Sequence, residues 1–117
     1  MATFTKQKLS GSTNGKGIKI VATSTLGDTI HTAVSGTSDF DEIWIYAFNS
    51  DSVSRKLTIE WGGASVPDDN IIGSIPSLSG LQLIIPGLLL QNGLVVTAFA
   101  EVTNVITITG FINRITA

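Results

Sequence analysis

Short runs of β-branched and aromatic residues, separated by clusters of glycine, serine and asparagine, restrict the fold of this chain more than any other feature. Val, Ile and Thr crowd a helix but fit a pleated sheet. No stretch of a dozen residues places apolar side chains at helical spacing on an otherwise polar face. Turn residues at such short intervals are typical of sandwiches and barrels. The sequence therefore predicts an all-β fold.

The alternation of side chains predicts about eight main strands. They cover residues 18–23, 29–34, 42–49, 55–61, 70–75, 81–85, 94–100 and 105–114. Residues 2–9 are expected to form either an extended arm or an edge strand. Eight short antiparallel strands suit two packed sheets of jelly-roll or immunoglobulin-like type. We favour an antiparallel β-sandwich that is jelly-roll-like, with an extended N-terminal arm, and a Greek-key barrel stays open as an alternative.

Two hairpins are predicted from short polar loops between strong strands. The first joins residues 42–49 to 55–61, and the second joins residues 94–100 to 105–114. In the second strand of the first hairpin, the pattern predicts one face toward the core and one toward solvent. Leu57, Ile59 and Trp61 are expected to face inward, and Lys56, Thr58 and Glu60 to face outward.

A length of 117 residues indicates one domain with one core. We expect residues 1–15 to be an N-terminal arm and loop, and residues 16–117 to be a single β-sandwich domain. Hydrophobic residues make up 43% of the chain and charged residues 14%. Soluble domains carry roughly 25% charged residues. The low charge indicates that part of the surface is covered by other chains, as in an oligomer or a larger assembly.

Charge and hydropathy also limit the partners. The formal net charge is −2 and the seven Lys and Arg residues are scattered, so nucleic-acid binding is not expected. The longest apolar stretch, residues 83–90, is interrupted by Pro86 and Gly87 and is too short to span a membrane. The N-terminus lacks the apolar core of a signal peptide. We therefore expect synthesis in a cytoplasm and no membrane partner.

Few residues carry the chemistry of catalysis. His31 is the single histidine, and we expect it to be a half-buried strand residue that bonds a neighbour, although Asp28 and nearby hydroxyls could serve it in a catalytic arrangement. Asp39, Asp41 and Glu42 could bind calcium, but their spacing is not that of an EF-hand loop. The chain has no cysteine. The sequence thus predicts no enzyme, no cofactor and no metal site.

Two groups of apolar residues are candidates for contact with another molecule. Trp44 and Tyr46 lie on the strand face opposite Ile43 and Ile45. Aromatic side chains at such positions either pack inside the protein or form an interface or a sugar-binding platform. The leucine-rich stretch from residue 78 to 94 has more apolar side chains than two short strands bury, unless it forms a buried strand pair. The predicted interface residues are Phe4, Leu9, Trp44, Tyr46, Leu78, Leu81, Leu88, Leu89 and Leu90.

Four segments resemble those of small virion proteins of tailed bacteriophages. They are residues 8–15 (KLSGSTNG), 57–63 (LTIEWGG), 85–88 (IPGL) and 108–114 (ITGFINR). Among these, the chain resembles the capsid decoration, or cement, proteins. The resemblance implies binding to the major capsid protein on the outside of the assembled capsid, commonly as a homotrimer, and stabilisation of the lattice. It also implies that residues 2–9 reach the shell and that the chain resides on the virion.

Two other functions stay open at this point. A receptor- or glycan-binding module of a phage fibre or tail predicts an exposed aromatic cleft around Trp44 and Tyr46. A small sugar-acting enzyme of cupin type would hold its metal mainly with histidines, and the single His31 argues against it.

Overall fold

The computed structural model describes residues 2–117, so Met1, the first residue of the predicted arm, lies outside the described part of the chain. These residues form nine strands. The strands are β1 (Thr3–Lys8), β2 (Ile18–Lys19), β3 (Asp28–Thr32), β4 (Phe40–Asn49), β5 (Arg55–Trp61), β6 (Asn70–Ile75), β7 (Gln82–Leu90), β8 (Val95–Ala100) and β9 (Ile106–Thr116). Over residues 2–117 there is no helix long and apolar enough to cross a membrane.

Two antiparallel sheets pack face to face as a sandwich, which confirms the predicted fold class. The first sheet has the order β1-β9-β4-β7, with β2 also paired to β9, and the second has the order β3-β8-β5-β6. The core between them consists mainly of isoleucines, including Ile43 and Ile45 from the first sheet and Ile59 from the second. Complete burial of each such side chain adds about 1.5–3 kcal/mol to the favourable free energy of folding.

The N-terminal residues form an edge strand. β1 runs antiparallel to β9, from Thr3 opposite Thr116 to Lys8 opposite Phe111. Leu9 follows directly and is fully buried in the core. Of the two alternatives expected for residues 2–9, the structure therefore has the edge strand, and an extended arm is not confirmed.

Neither predicted hairpin exists. β4 lies in the first sheet and β5 in the second, and β8 and β9 are divided in the same way. In both cases the chain arches over the end of the core, because the apolar faces of the two strands approach the core from opposite sides. Asn49 stabilises the first arch, since its buried amide nitrogen donates to the carbonyl oxygens of Val53 at 2.8 Å and Ile75 at 2.9 Å.

β7 continues beyond the predicted end at Ile85. Pro86 is tolerated because β7 is an edge strand, where no backbone N–H is needed on the open side. The register steps from Ile43 opposite Leu88 to Trp44 opposite Pro86. Gly87 is therefore the extra residue of a bulge, and its φ of 78° is one that glycine adopts without steric cost.

The outer face of β5 is not solvated as predicted. Thr58 and Glu60 point away from the core but are buried, with Glu60 only 1% exposed. The loop between β2 and β3 covers this face, and the Glu60 carboxylate accepts hydrogen bonds from the Thr25 hydroxyl and from the Gly27 amide at 2.8 Å. Trp61, predicted to face inward, is partly buried and packs against the core.

Candidate functional site

The outer face of the first sheet brings the predicted aromatic residues together. Ile43, Ile45 and Ala47 of β4 are fully buried, whereas Trp44 and Tyr46 point to the other face and are partly exposed. Strict alternation along β4 produces this division, as the sequence predicts. Phe111 of β9 lies directly opposite Trp44, so the two aromatic side chains share the outer face.

Trp44 and Phe111 form a nearly parallel pair. Their ring centroids are 6.0 Å apart and the ring planes differ by 14°. On its other side, the indole lies against Gly87, where a Cβ atom would come within 2.8 Å of the ring. The absence of a side chain at Gly87 therefore makes room for the indole. We call Trp44, Tyr46 and Phe111 the aromatic platform.

Polar groups surround this platform. Glu42 Oε1 accepts hydrogen bonds from the Trp44 indole N–H at 2.9 Å and from the Asn113 amide at 3.0 Å. These two bonds, from Trp44 first and then Asn113, lower the pKa of the Glu42 carboxyl group, so it is a carboxylate at neutral pH. The Lys6 ammonium group lies 4.3 Å from the centre of the Phe111 ring, as a cation–π contact.

Sequence reasoning found Trp44 and Tyr46 but did not include Phe111, Glu42, Asn113 or Lys6. Alternation along a strand predicts which side chains share a face, but it does not reveal which residue of the neighbouring strand lies opposite. Only the pairing of β9 with β4 and β1 brings these side chains together.

The exposed leucines cluster along β7 and the loop before it. We call Leu78, Leu81, Leu83, Leu88 and Leu89 the leucine edge; each is between 41 and 66% exposed. β7 is the last strand of its sheet, so its open side faces solvent. Four of these five leucines are among the predicted interface residues, and Leu83 is added by the structure.

The remaining predicted interface residues are divided between surface and core. Phe4 is 68% exposed, and it lies on β1 opposite Ile115. Leu9 and Leu90 belong to the hydrophobic core. These two side chains are therefore not part of either candidate surface.

His31 is buried inside the sandwich rather than half-buried. Its Nε2 lies 2.7 Å from Asp41 Oδ2, and its Nδ1 accepts the backbone N–H of Ser10 at 3.0 Å. Asp28, which a catalytic arrangement would have used, instead accepts the backbone N–H groups of Val21 and Ala22. Ser10 approaches the imidazole with its backbone nitrogen, and its hydroxyl accepts from Thr32, so the contacts differ from those of a nucleophile and its base.

Arg114 completes this buried cluster. Its Nε and Nη2 donate to the two oxygens of Asp41 at 2.8 and 3.0 Å. Burial alone would raise the pKa of the Asp41 carboxyl group, but the hydrogen bonds from Arg114 and His31 outweigh burial and lower it. The cluster thus links β3 of one sheet to β4 and β9 of the other, which is a structural role.

The carboxylates of residues 39–42 do not converge. Asp41 points into the core, Glu42 points to the outer face, and Asp39 accepts the backbone N–H of Ala117. Within residues 2–117, no three His, Cys, Asp or Glu side chains are grouped as metal ligands.

A cavity of about 400 Å³ lies beside the second sheet. Leu26, Leu94 and the backbone of Gly62 and Gly63 form part of its wall. Its only side-chain polar groups are the hydroxyls of two threonines, so it lacks the convergent polar groups that orient a specific ligand.

Comparisons with known proteins provide no relative. No family model, no curated protein and no solved structure matches the chain.

Proposed function

We propose that this chain is a structural virion protein that binds the outer surface of an assembled phage capsid and stabilises its lattice. Its partners are the major capsid protein and further copies of itself, with a homotrimer favoured. The proposal includes neither a reaction nor a cofactor. The observation that carries it is the leucine edge, five exposed leucines on an edge strand and in the loop before it.

The leucine edge lacks the charges that normally protect a sheet edge. Natural edge strands avoid unwanted pairing through lysines, other charges, prolines or bulges. β7 has Pro86 and a bulge at Gly87, but residues 70–100 contain no charged residue at all. An accumulation of exposed apolar side chains on an uncharged edge favours a protein contact. A partner that covers the edge would remove it from water.

The strand order supports the jelly-roll part of the hypothesis. From β2 to β9, consecutive strands lie in opposite sheets except β5 and β6, and the orders β2-β9-β4-β7 and β3-β8-β5-β6 are those of two interleaved Greek keys. Double-sheet jelly rolls occur in viral capsid proteins and lectins. Topology alone does not assign a function, so the argument for capsid binding depends on the leucine edge and on the resemblance of the sequence segments.

A repeating capsid lattice allows a protein to bind tightly even when the contact made by each copy is weak. The leucine edge consists of only five partly exposed side chains, whereas stable complexes bury about 800 Å² per partner. Several linked copies on a repeating surface convert weak contacts into high overall affinity. A trimer that presents three leucine edges would therefore bind a capsid much more tightly than one copy.

Cosedimentation with capsids tests the proposal. Capsids are prepared without this protein from the phage whose genome encodes it, and the purified chain is added at increasing concentration. We expect saturable binding and a higher disruption temperature for the decorated capsids. Mass photometry of the free protein measures the oligomer, for which we expect three copies.

Charged substitutions locate the contact. Leu81→Asp and Leu89→Asp change leucines that are more than half exposed, so the core is not altered. We expect each to weaken capsid binding at least tenfold, because a charge would be buried at the contact. The matched control is Leu26→Asp, an exposed leucine beside the second sheet. Absence of binding by the natural sequence, or equal binding by all three variants, would overturn the proposal.

A further inference from the structure

Most aromatic side chains of this protein lie on the outer face of the first sheet rather than in the core. Strict alternation along β4 turns every second side chain outward, and these side chains are partly exposed. The outer face holds six of the eight aromatic residues of the chain, namely Phe4, Phe40, Trp44, Tyr46, Phe48 and Phe111. The solvated face of an antiparallel sheet is normally polar. The aromatic composition therefore indicates that another molecule covers this face.

The registers of the strands arrange the outward side chains in rows across β1, β9 and β4. Residues of one row lie directly opposite each other on neighbouring strands. Because β9 is the middle strand, each row has one end on β1 and the other on β4. Three successive rows are formed by Phe4, Ile115 and Phe40, by Lys6, Asn113 and Glu42, and by Lys8, Phe111 and Trp44.

The middle row carries two opposite charges that form no ion pair in the described chain. Over residues 2–117, the ion pairs involve only the carboxylates of Asp41 and Asp51. Both hydrogen bonds to the Glu42 carboxylate reach Oε1, so Oε2 has no donor from these residues. The ammonium group of the exposed Lys6 side chain lies against the Phe111 ring. Each of the two charges is therefore suited to a group of opposite sign on a partner.

We propose that copies of this chain contact each other through the outer face of the first sheet, around a rotation axis parallel to β9. Rotation about such an axis keeps every residue at its own level along the strands. The β1 end of each row then lies against the β4 end of the same row in the next copy. Lys6 of one copy meets Glu42 of the next, and Phe4 meets Phe40. Sheets that pack face to face are about 10 Å apart, a distance that side chains of this size fill.

The match between the two ends of each row identifies the partner as a second copy. In the first row an aromatic side chain meets an aromatic side chain, and in the second a cation meets an anion. In the third row, the Lys8 ammonium group donates to the carbonyl oxygen of Ser12 at 3.1 Å, so the alkyl stem of Lys8 packs beside Trp44. Rows that each complement themselves favour self-association over contact with an unrelated protein.

This inference rests on the self-association in the proposed function and assigns the surface through which it occurs. Three copies around the axis form a closed ring, in which the β1 side of each copy contacts the β4 side of the next. Leu83 and Leu89 lie opposite Tyr46 and Glu42, at the margin of this contact. Leu81 precedes β7 and lies outside the rows. Variants of Lys6 and of Leu81 therefore separate self-association from capsid binding.

Charge reversal tests the contact between Lys6 and Glu42 in the full chain. The readout is the mass of the free protein in sedimentation velocity over a range of concentrations. Lys6→Glu and Glu42→Lys should each weaken self-association by about tenfold or more, because like charges then meet. The double variant Lys6→Glu/Glu42→Lys restores the opposite charges and should recover most of the association. The matched controls, Lys56→Glu and Asp68→Lys, change exposed charges outside this face and should associate like the natural sequence.

Introduced cysteines test the same contact independently of charge, because the chain has no cysteine. In Phe4→Cys/Phe40→Cys, the two thiols of one chain lie on either side of β9, about 10 Å apart, which is too far for a disulfide. Position 4 of one copy lies against position 40 of the next, so oxidation with copper phenanthroline should join three copies covalently. Non-reducing electrophoresis detects this product. The control Phe4→Cys/Ile72→Cys, with its second thiol on β6 of the other sheet, should remain a single chain.

Several results would overturn the inference. They are a natural sequence that sediments as a monomer, unchanged association in both charge-reversal variants, no recovery in the folded double variant, and no covalent product from the cysteine pair. Loss of association in Leu81→Asp but not in Lys6→Glu would place the contact between copies at the leucine edge instead.

The outcomes for this contact and for the proposed function are distinguishable. A natural sequence of two copies, with the same loss and recovery, would support the contact and contradict the trimer. Loss and recovery without any binding to capsids would support the contact and overturn the capsid proposal. Leu81→Asp should abolish capsid binding while the number of copies stays the same.

Discussion

His31 and Asp41 meet inside the sandwich, where Nε2 of the imidazole lies 2.7 Å from Oδ2 of the carboxylate. The other ring nitrogen, Nδ1, accepts the backbone N–H of Ser10. This arrangement requires a proton on Nε2 and none on Nδ1, so the ring is neutral. Burial also lowers the pKa of His31, and it outweighs the hydrogen bond and charge of Asp41, which raise it.

Stability should therefore fall in mild acid. The unfolded chain takes up a proton at His31 below about pH 6.5, while the folded chain resists it, so the free energy of unfolding decreases as the pH drops below that value. The slope is about 1.4 kcal/mol per pH unit at most. Urea unfolding at pH 7.5, 6.5 and 5.5 measures the change in the free energy of unfolding with pH.

The control for this pH dependence is His31→Gln, which removes the only histidine. Its stability should be nearly constant between pH 7.5 and 5.5, whatever its absolute value. A further loss is expected in both proteins at lower pH, because the lowered pKa of Asp41 stabilises the fold only above the pH at which this carboxylate is protonated. Equal slopes between pH 7.5 and 5.5 in the two proteins would contradict the assignment to His31.

Removal of the Asp41 carboxylate should be among the most damaging single changes. In Asp41→Ala, the Arg114 guanidinium loses its ion pair, and the His31 and Val34 N–H groups lose their acceptor. Loss of one partner from a buried ion pair costs about 3–5 kcal/mol. Because Arg114 is partly exposed, we expect a value at the lower end of this range. Urea unfolding should show a free energy of unfolding about 3 kcal/mol below that of the natural sequence.

The matched control is Asp68→Ala, at an exposed carboxylate in the loop after β5. A surface change of this kind should alter the free energy of unfolding by no more than about 0.5 kcal/mol. Similar losses in the two variants would show that the buried cluster does not link the sheets.

The partner of His31 illustrates what the sequence could and could not predict. Asp28 is three residues away along the chain, and Asp41 is ten residues away on another strand. The chain crosses from one sheet to the other between β3 and β4, and this crossing brings Asp41 to the imidazole. Distance along the chain is a poor guide to such contacts in a sandwich.

The same limit explains the two wrong hairpins. Alternation within residues 42–49 and 55–61 predicted the inward side chains correctly, because side-chain direction is local to each strand. It did not reveal that the two strands face each other across the core. A short polar loop can close a hairpin or an arch, and here Asn49 stabilises an arch.

Glu60 is a third case, and it leads to a prediction. Its outward direction was predicted correctly, but the loop between β2 and β3 covers it. Glu60 Oε1 accepts the Gly27 N–H and the Thr97 hydroxyl, at 2.8 and 2.6 Å. In Glu60→Ala these donors lose their acceptor. We expect the free energy of unfolding to decrease by about 2 kcal/mol.

Hydrogen exchange provides the more specific measurement for Glu60. The amide of Gly27 should exchange much faster in Glu60→Ala, because it then lacks a partner, whereas core amides such as that of Ile59 should keep their protection relative to global stability. Glu60→Gln retains an acceptor oxygen and should have an intermediate effect. Unchanged protection of Gly27 in the alanine variant would show that Glu60 does not hold the loop.

Gly87 should control the position of the Trp44 indole. An alanine Cβ would lie 2.8 Å from the ring, so the indole must move, and the φ of 78° adds backbone strain. Gly36 has the same φ of 78° with no atom within 4 Å of its added Cβ. Gly36→Ala therefore measures the strain alone, expected at about 1–2 kcal/mol.

The difference between Gly87→Ala and Gly36→Ala isolates the contact with the indole. We expect Gly87→Ala to be the more destabilising of the two, and to shift the emission of Trp44 in a Trp61→Phe background, where Trp44 is the only tryptophan. Gly36→Ala should leave that emission unchanged. If both variants lose the same stability and neither alters the emission, Gly87 is needed only for its backbone conformation, and the platform has another support.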